Sequence, residues 1–229
     1  CSAYVYGLWL AGTMISTQDI NRVLLLVGDT SNYGINPRDS DTAMMFGDGG
    51  AATALEKSEG KSMKYFLKTK GSGYRSIIVP AGHARSRSRT DIKPSEYELF
   101  LNGSEVFTFT ITDVPRAIKG FMSQYNIDKN DVDMYVFHQA NLFILKHLAK
   151  KLGIPMEKMP ISIDRYGNTS GESIPLTLVD VLGGEESNGT VRLLLCGFGV
   201  GLSWGGIYLE MDKSICLPMI YTNDYFKEV

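Results

Sequence analysis

Five consecutive apolar residues, Val23-Leu24-Leu25-Leu26-Val27, stand between polar Asn21-Arg22 and the pair Gly28-Asp29. The run lacks the alternation of a strand with one wet face, so it fits a strand covered on both faces, which in turn predicts helices on both sides of a sheet. Helical spacing surrounds it. Tyr4, Leu8, Leu10, Ala11 and Met14 predict a largely buried helix over 2–15, with Cys1 at its N-terminus. Further on, the pattern predicts strands over 51–56, 63–68, 134–137, 191–195 and 204–211, and helices over 113–125, 142–152 and 174–182. The last two strands read as a hairpin across Cys196-Gly197-Phe198-Gly199-Val200-Gly201, while residues 80–95, with Arg85, Arg87 and Arg89, read as an exposed loop. The class is α/β with both parallel and antiparallel pairs. A Gly-rich turn leading into a strand occurs at 47–56 and again at 197–210, as two related halves would produce.

Charge and cysteine usage narrow the partners. The 23 basic and 25 acidic residues leave a net charge of −2, which gives no global reason to expect nucleic acid or a membrane surface. No apolar run approaches the roughly 20 residues of a membrane span, and no basic region stands ahead of an apolar one at the N-terminus, so neither export nor embedding is expected. Three cysteines, Cys1, Cys196 and Cys216, argue against a disulfide framework and for a reducing, cytosolic setting. The chain starts at Cys1 rather than Met, so something upstream is expected to have been removed or omitted.

Three features can carry chemistry. Cys1 stands at a helix N-terminus, where unpaired N–H groups and the helix dipole favour a thiolate; alone, it reads more readily as a small buried residue at an arbitrary chain start. His138 follows a strand and precedes a helix, at the sheet edge where α/β sites are built, although a lone histidine is more often a hydrogen-bonded core residue. Asn168 lies between Gly167 and Gly171 in Tyr166-Gly167-Asn168-Thr169-Ser170-Gly171, a tight loop that could also be a plain turn.

Taken together, six segments resemble β-ketoacyl-[acyl-carrier-protein] synthase III of the thiolase superfamily. They are Cys1-Ser2-Ala3-Tyr4-Val5-Tyr6-Gly7-Leu8, Phe46-Gly47-Asp48-Gly49-Gly50-Ala51, Gly103-Ser104-Glu105-Val106-Phe107, His138-Gln139-Ala140-Asn141-Leu142, Asp164-Arg165-Tyr166-Gly167-Asn168-Thr169-Ser170 and Phe198-Gly199-Val200-Gly201-Leu202-Ser203-Trp204-Gly205. The resemblance covers residues 1 to about 210; the fourth and fifth segments are highly specific, whereas the Gly-rich turns alone are weak. It implies a thiolase-like fold, layered α-β-α-β-α with mixed sheets, whose N-terminal half is incomplete here. The expected organisation is a remainder of the first half over 1–95, a second half over 96–211 and an extension over 212–229, for which the sequence offers no role.

The family's catalytic triad then falls on Cys1, His138 and Asn168. Cys1 would take the acyl group of a thioester, and His138 with Asn168 would stabilise the enolate formed when a malonyl thioester loses carbon dioxide. By resemblance the backbone N–H groups of Cys1 and Val200 form the oxyanion hole, Phe198 lies against the cysteine, and Asn141 contacts a pantetheine arm. Val200 stands where the family usually has glycine, and a β-branched residue tolerates positive φ badly. The implied substrates are acyl-coenzyme A and malonyl-acyl-carrier protein, with no metal and no permanently bound cofactor, in a homodimer. Because a βαβ unit takes roughly 30 residues, an upstream half with its share of the acyl pocket is expected beyond this chain.

Two departures bear on the substrate. Phe143 and Ser40 stand where the family carries arginines expected to contact phosphopantetheine, coenzyme A or the acidic carrier. Lys146, Lys150, Lys151, Arg38 or the Arg85-Arg87-Arg89 loop could replace them, though exposed charges are more often merely solvated. Phe143 and Ser40 favour a relative that uses a different acceptor, such as a secondary-metabolite synthase. An N-terminal nucleophile hydrolase fits Cys1 but leaves His138, Asn168 and five segments unexplained, and a non-catalytic scaffolding half would keep the fold without turnover.

Overall fold

The computed structural model describes residues 1–17, 19–40, 42–184 and 189–223, and within them not the side chains of His83 and Arg85. Its elements in chain order are α1 (Ala3–Thr17), β1 (Arg22–Asp29), β2 (Gly49–Glu56), β3 (Lys64–Thr69), β4 (Ile77–Ile78), β5 (Phe100–Leu101), α2 (Gly103–Gln124), β6 (Met134–Phe137), α3 (Leu142–Leu152), α4 (Ile163–Tyr166), α5 (Ser173–Leu182), β7 (Thr190–Gly199) and β8 (Ser203–Asp212).

A four-stranded sheet runs in the order β3-β8-β7-β6, with β6 parallel to β7 and the other pairs antiparallel. Strand alternation splits its side chains between two cores. Tyr135, Phe137, Leu194, Cys196, Phe198 and Trp204 face α2 and α3, whereas Val136, Val191, Leu193, Leu195 and Ile207 face α1 and α5. A second sheet, the antiparallel pair β1-β2, lies on the other side of α1 and α5. The layers thus run β1-β2, then α1 with α5, then the four-stranded sheet, then α2 with α3.

Double coverage holds for β6 and β7 and not for β1. Val23, Leu25 and Val27 turn toward α1, while Leu24 and Leu26 are 63% and 67% exposed, so the continuous apolar run has one covered face among the described residues. β3 lies by position in the first expected half, yet it hydrogen-bonds to β8 and extends the sheet of the second.

The helix expected over 113–125 begins ten residues earlier. Thr108, Thr110 and Thr112 fall in a β-branched stretch that locally disfavours helix. Asn102 caps this end by accepting from the Glu105 N–H (3.2 Å), the hydroxyls of Thr108 and Thr112 return to carbonyls of the preceding turn, and Phe109, Thr110, Val114, Ile118 and Phe121 are buried. Packing on the sheet outweighs local preference. The segment over 80–95 is only partly the open loop expected: Ser86 is buried and its hydroxyl accepts from the Gly82 N–H (2.7 Å). After β8 the chain folds back on α5 and α4, where the Cys216 thiol meets the Leu178 carbonyl of α5 (3.5 Å) and the Tyr166 hydroxyl of α4 meets Met219 (3.7 Å); Leu217, Ile220 and Tyr221 stay exposed.

Candidate active site

The site forms where the starts of α1 and α5 meet. Cys1 and Ser2 lead into α1, held against the end of β7 by close backbone packing. A Cβ on Gly199 would fall 2.5 Å from the Cys1 Cβ and 2.9 Å from its Sγ, so glycine is the residue that lets strand and nucleophile approach. Ser2 is buried and shares a 2.6 Å hydrogen bond with Ser203.

The turn Asn168–Ser173 leads into α5 and is clasped by the turn ahead of β2. Gly47 donates its N–H to the Asn168 carbonyl (3.0 Å), and Asn168 donates its own to the Met45 carbonyl (2.8 Å). Gly167, at φ +70°, provides the left-handed backbone that this clasp needs. The two Gly-containing segments of the sequence are therefore two sides of one contact.

All three expected catalytic residues touch the Asn168–Ser173 turn. Asn168 is buried, and its Oδ1 accepts from the Ser170 N–H (2.9 Å), which orients the amide and leaves its Nδ2 hydrogens as the donors. The Cys1 Sγ lies 3.8 Å from the Ser170 Oγ. His138, buried at the end of β6, bonds through Nδ1 to the Ser173 Oγ (2.8 Å) and meets the Phe198 ring edge-on at 5.3 Å between centroids.

Burial lowers the His138 pKa to about 3, with the Ser170 carbonyl opposing it, so the ring is neutral. Its tautomer depends on one proton. The Ser173 hydroxyl faces both Nδ1 and the Ser170 carbonyl (2.9 Å). When it donates to Nδ1, the ring hydrogen is carried on Nε2, where it can serve as a donor.

The remaining expected residues divide. Phe198 is buried in β7 on the face packed against α2 and α3, with its ring against His138, while the flanking Gly197 and Gly199 meet Cys1. Val200 is exposed in the β7–β8 turn and does not adopt positive φ; that conformation falls on Gly201 (φ +140°), so the β-branched side chain brings no conflict there. Asn141 caps α3, its Oδ1 accepting from the Ile144 N–H (2.8 Å), which gives it a local structural role. Phe143 is exposed and stacks on Phe107, with His147 at their edges. Lys146, Lys150, Lys151, Arg38 and Ser40 are exposed. Arg89 already pairs with Glu96 and Asp91, and the Arg85 side chain lies outside the described residues.

Two contributors escaped the sequence reading. Ser173, the partner of His138, had only its place after Asn168 as a signal. Nothing in the sequence singles out Glu172, yet it is fully buried and, among the described residues, neither carboxyl oxygen has a hydrogen-bond partner. Among the described residues no group of three or more His, Cys, Asp or Glu could hold a metal, no helix is long and apolar enough to cross a membrane, and Cys1, Cys196 and Cys216 are free thiols. Burial pushes the Cys196 thiol far up, which leaves it inert beside Cys1.

Two sheets separated by a helical layer, with Cys1, His138 and Asn168 gathered about one turn, place the chain in the thiolase superfamily. Within it, the chain belongs to the 3-oxoacyl-[acyl-carrier-protein] synthase III family: residues 1–71 match the family itself and residues 122–211 match its C-terminal part. The β-ketoacyl-[acyl-carrier-protein] synthase III of Staphylococcus saprophyticus is 35% identical over 219 residues, covering 93% of this chain and 64% of that protein. The crystal structure of a 3-oxoacyl-(acyl-carrier protein) synthase from Burkholderia xenovorans superposes with a TM-score of 0.84 at 42% identity, covering 92% of this chain and 62% of the other. The priming β-ketosynthase of the R1128 polyketide pathway is also similar, at 26% identity and a TM-score of 0.81, covering 95% and 64%. The chain thus spans between 62% and 64% of the length of these proteins.

Proposed function

We propose that this chain carries the chemistry of a β-ketoacyl-[acyl-carrier-protein] synthase III, an acyltransferase that condenses an acyl thioester with a malonyl thioester in fatty acid synthesis. The observation that supports it is the single turn that holds Asn168, meets Cys1 through Ser170 and meets His138 through Ser173. The Cys1 thiolate attacks the acyl carbonyl, a new thioester forms, and the first thiol leaves with a proton. The malonyl thioester then loses carbon dioxide; the electron pair released forms an enolate, whose oxygen receives the His138 Nε2 hydrogen and the Asn168 amide as donors. The enolate carbon bonds to the acyl carbon, and the Cys1 thiolate is expelled. Backbone N–H groups of Cys1 and Val200 serve the tetrahedral intermediate. These side chains and two thioesters complete the reaction without a further cofactor.

Coenzyme A and an acyl carrier protein are the proposed thioester carriers, Asn141 a contact for the pantetheine arm, and a homodimer in the cytosol the working state. A related reading, with a different acceptor, is favoured by Phe143, whose exposed ring stacks on Phe107 where the resemblance called for an arginine.

Denaturing intact-mass spectrometry after incubation with acetyl-coenzyme A tests the reading. One acetyl adduct on Cys1 is expected, none in Cys1→Ala, and a retained adduct with lost condensation in His138→Ala and Asn168→Ala. An unmodified wild-type protein would overturn it, and equal loss of acylation in all three variants would overturn the division of roles.

A further inference from the structure

Glu172 is 0% exposed, and among the described residues neither of its carboxyl oxygens has a hydrogen-bond partner, nor does the buried hydroxyl of neighbouring Thr169. Its side chain lies over Gly49 of β2, where an added Cβ would come within 3.3 Å of the Glu172 Cγ and Oε1. The charged side chain that faces it is Asp29, at the end of β1; among the described residues β2 contributes none. Asp29 is itself tied to the turn, its Oδ2 accepting from the Gly171 N–H (3.4 Å). The backbone N–H groups of Glu172 and Asp29 lie near enough to favour the anion without closing a hydrogen bond to it.

An ionised carboxylate in such a place is costly, so the arrangement described is that of the neutral acid. Ionisation requires the carboxylate to reach water or a donor, and because Glu172 is itself part of the Asn168–Ser173 turn, its rearrangement displaces that turn. That turn orients Asn168 through the Ser170 N–H and His138 through the Ser173 hydroxyl. We infer that Glu172 is a positioning residue: its neutral carboxyl, enclosed beside the Asn168–Ser173 turn, keeps His138 and Asn168 in their working arrangement, and its ionisation releases them. The inference rests on the synthase reading and adds to it a residue outside the triad. Burial, with the Asp29 charge adding to it, raises the Glu172 pKa to about 7, which places the transition within an accessible range.

Two measurements on the full protein test it. With Cys1 acetylated from acetyl-coenzyme A, decarboxylation of malonyl-coenzyme A is expected to fall about tenfold between pH 6 and pH 8 in wild type, while Glu172→Gln stays flat within about twofold. A protonated-carboxyl C=O infrared band that disappears near neutral pH is expected in wild type and not in Glu172→Gln. If the Gln variant does not fold, Glu172→Ala serves in both. Normal Cys1 acetylation together with the same pH profile of decarboxylation in wild type and variant, or a wild type without the titrating band, overturns the positioning role. A wild type that never acetylates at Cys1 overturns the synthase reading instead.

Discussion

The unit α1-β1-β2 and the unit α5-β7-β8 are both a helix followed by an antiparallel pair of strands, and they pack reciprocally. Gly47 and Gly49, before and in β2, lie against Tyr166 and Glu172 ahead of α5; Gly197 and Gly199, at the end of β7, lie against Ser2 and Cys1 ahead of α1. Gly199 meets the Cys1 sulfur as Gly49 meets the Glu172 carboxyl. The residues so presented differ in access. Cys1 is partly open, whereas Glu172 is sealed. The strands differ in the opposite sense: β7 is covered on both faces by α1, α5, α2 and α3, while β1 has Leu24 and Leu26 in the open. One architecture therefore serves two ends, and coverage rather than topology decides whether a helix start offers a nucleophile or a buried support.

The largest expected difference lies between the strands. Leu195→Ala should cost about 2–5 kcal/mol in urea unfolding, because it empties a fully buried position, and Leu26→Ala should stay within about 0.5 kcal/mol. Comparable losses would mean that the outer face of β1 is covered in solution. The glycines come next. Gly199→Ala drives a Cβ to 2.5 Å from the Cys1 Cβ, so a loss of about 1–3 kcal/mol and a slower alkylation of Cys1 by iodoacetamide are expected. Gly49→Ala meets only a 3.3 Å approach from a flexible side chain and should cost less than about 1 kcal/mol. If the two alanines cost the same, the reciprocal packing is not what constrains Cys1. Smaller still is Ser173→Ala, which removes the partner of His138 Nδ1. Condensation should fall about tenfold, equivalent to roughly 1.4 kcal/mol, with Cys1 acylation largely retained; a parallel loss of acylation would argue against tautomer control by Ser173.

Sequence pattern was most legible where local and tertiary demands agree. The strand over 134–137 and the helix over 142–152 have the limits that periodicity, the Asn141 cap and Gly153 predict. The first ten residues of α2 were hidden because their threonines oppose helix locally and yield only to burial against the sheet. Val23–Val27 misled for a related reason: an apolar run states what a strand can bury, and its neighbours determine how much it does. At the site, Cys1, His138 and Asn168 were readable from residue type and motif. Glu172 was not, since a carboxyl at a helix start is ordinarily solvated and its enclosure depends on Gly49, more than a hundred positions away in the chain.

His138 and Glu172 also bear on stability, with opposite signs. The folded state holds His138 neutral down to about 3, while the unfolded ring takes a proton near 6.5, so this stability is lost as pH falls from 6.5 toward 3. Glu172 runs the other way: the folded state keeps its proton up to about 7, the unfolded carboxyl releases it near 4.5, and the contribution is lost as pH rises from 4.5 to 7. Between 4.5 and 6.5 each slope approaches about 1.4 kcal/mol per pH unit, and the two oppose each other. Glu172→Gln removes one of them. Relative to wild type, the variant should gain stability progressively as pH rises through that window, reaching a constant advantage of a few kcal/mol above pH 7. Urea unfolding of both proteins at half-unit pH steps measures the difference directly, and other titrating groups cancel in it. A difference independent of pH would mean that Glu172 ionises in the folded protein as it does in the unfolded one, and the contrast between an open Cys1 and a sealed Glu172 would then be one of position without a difference in environment.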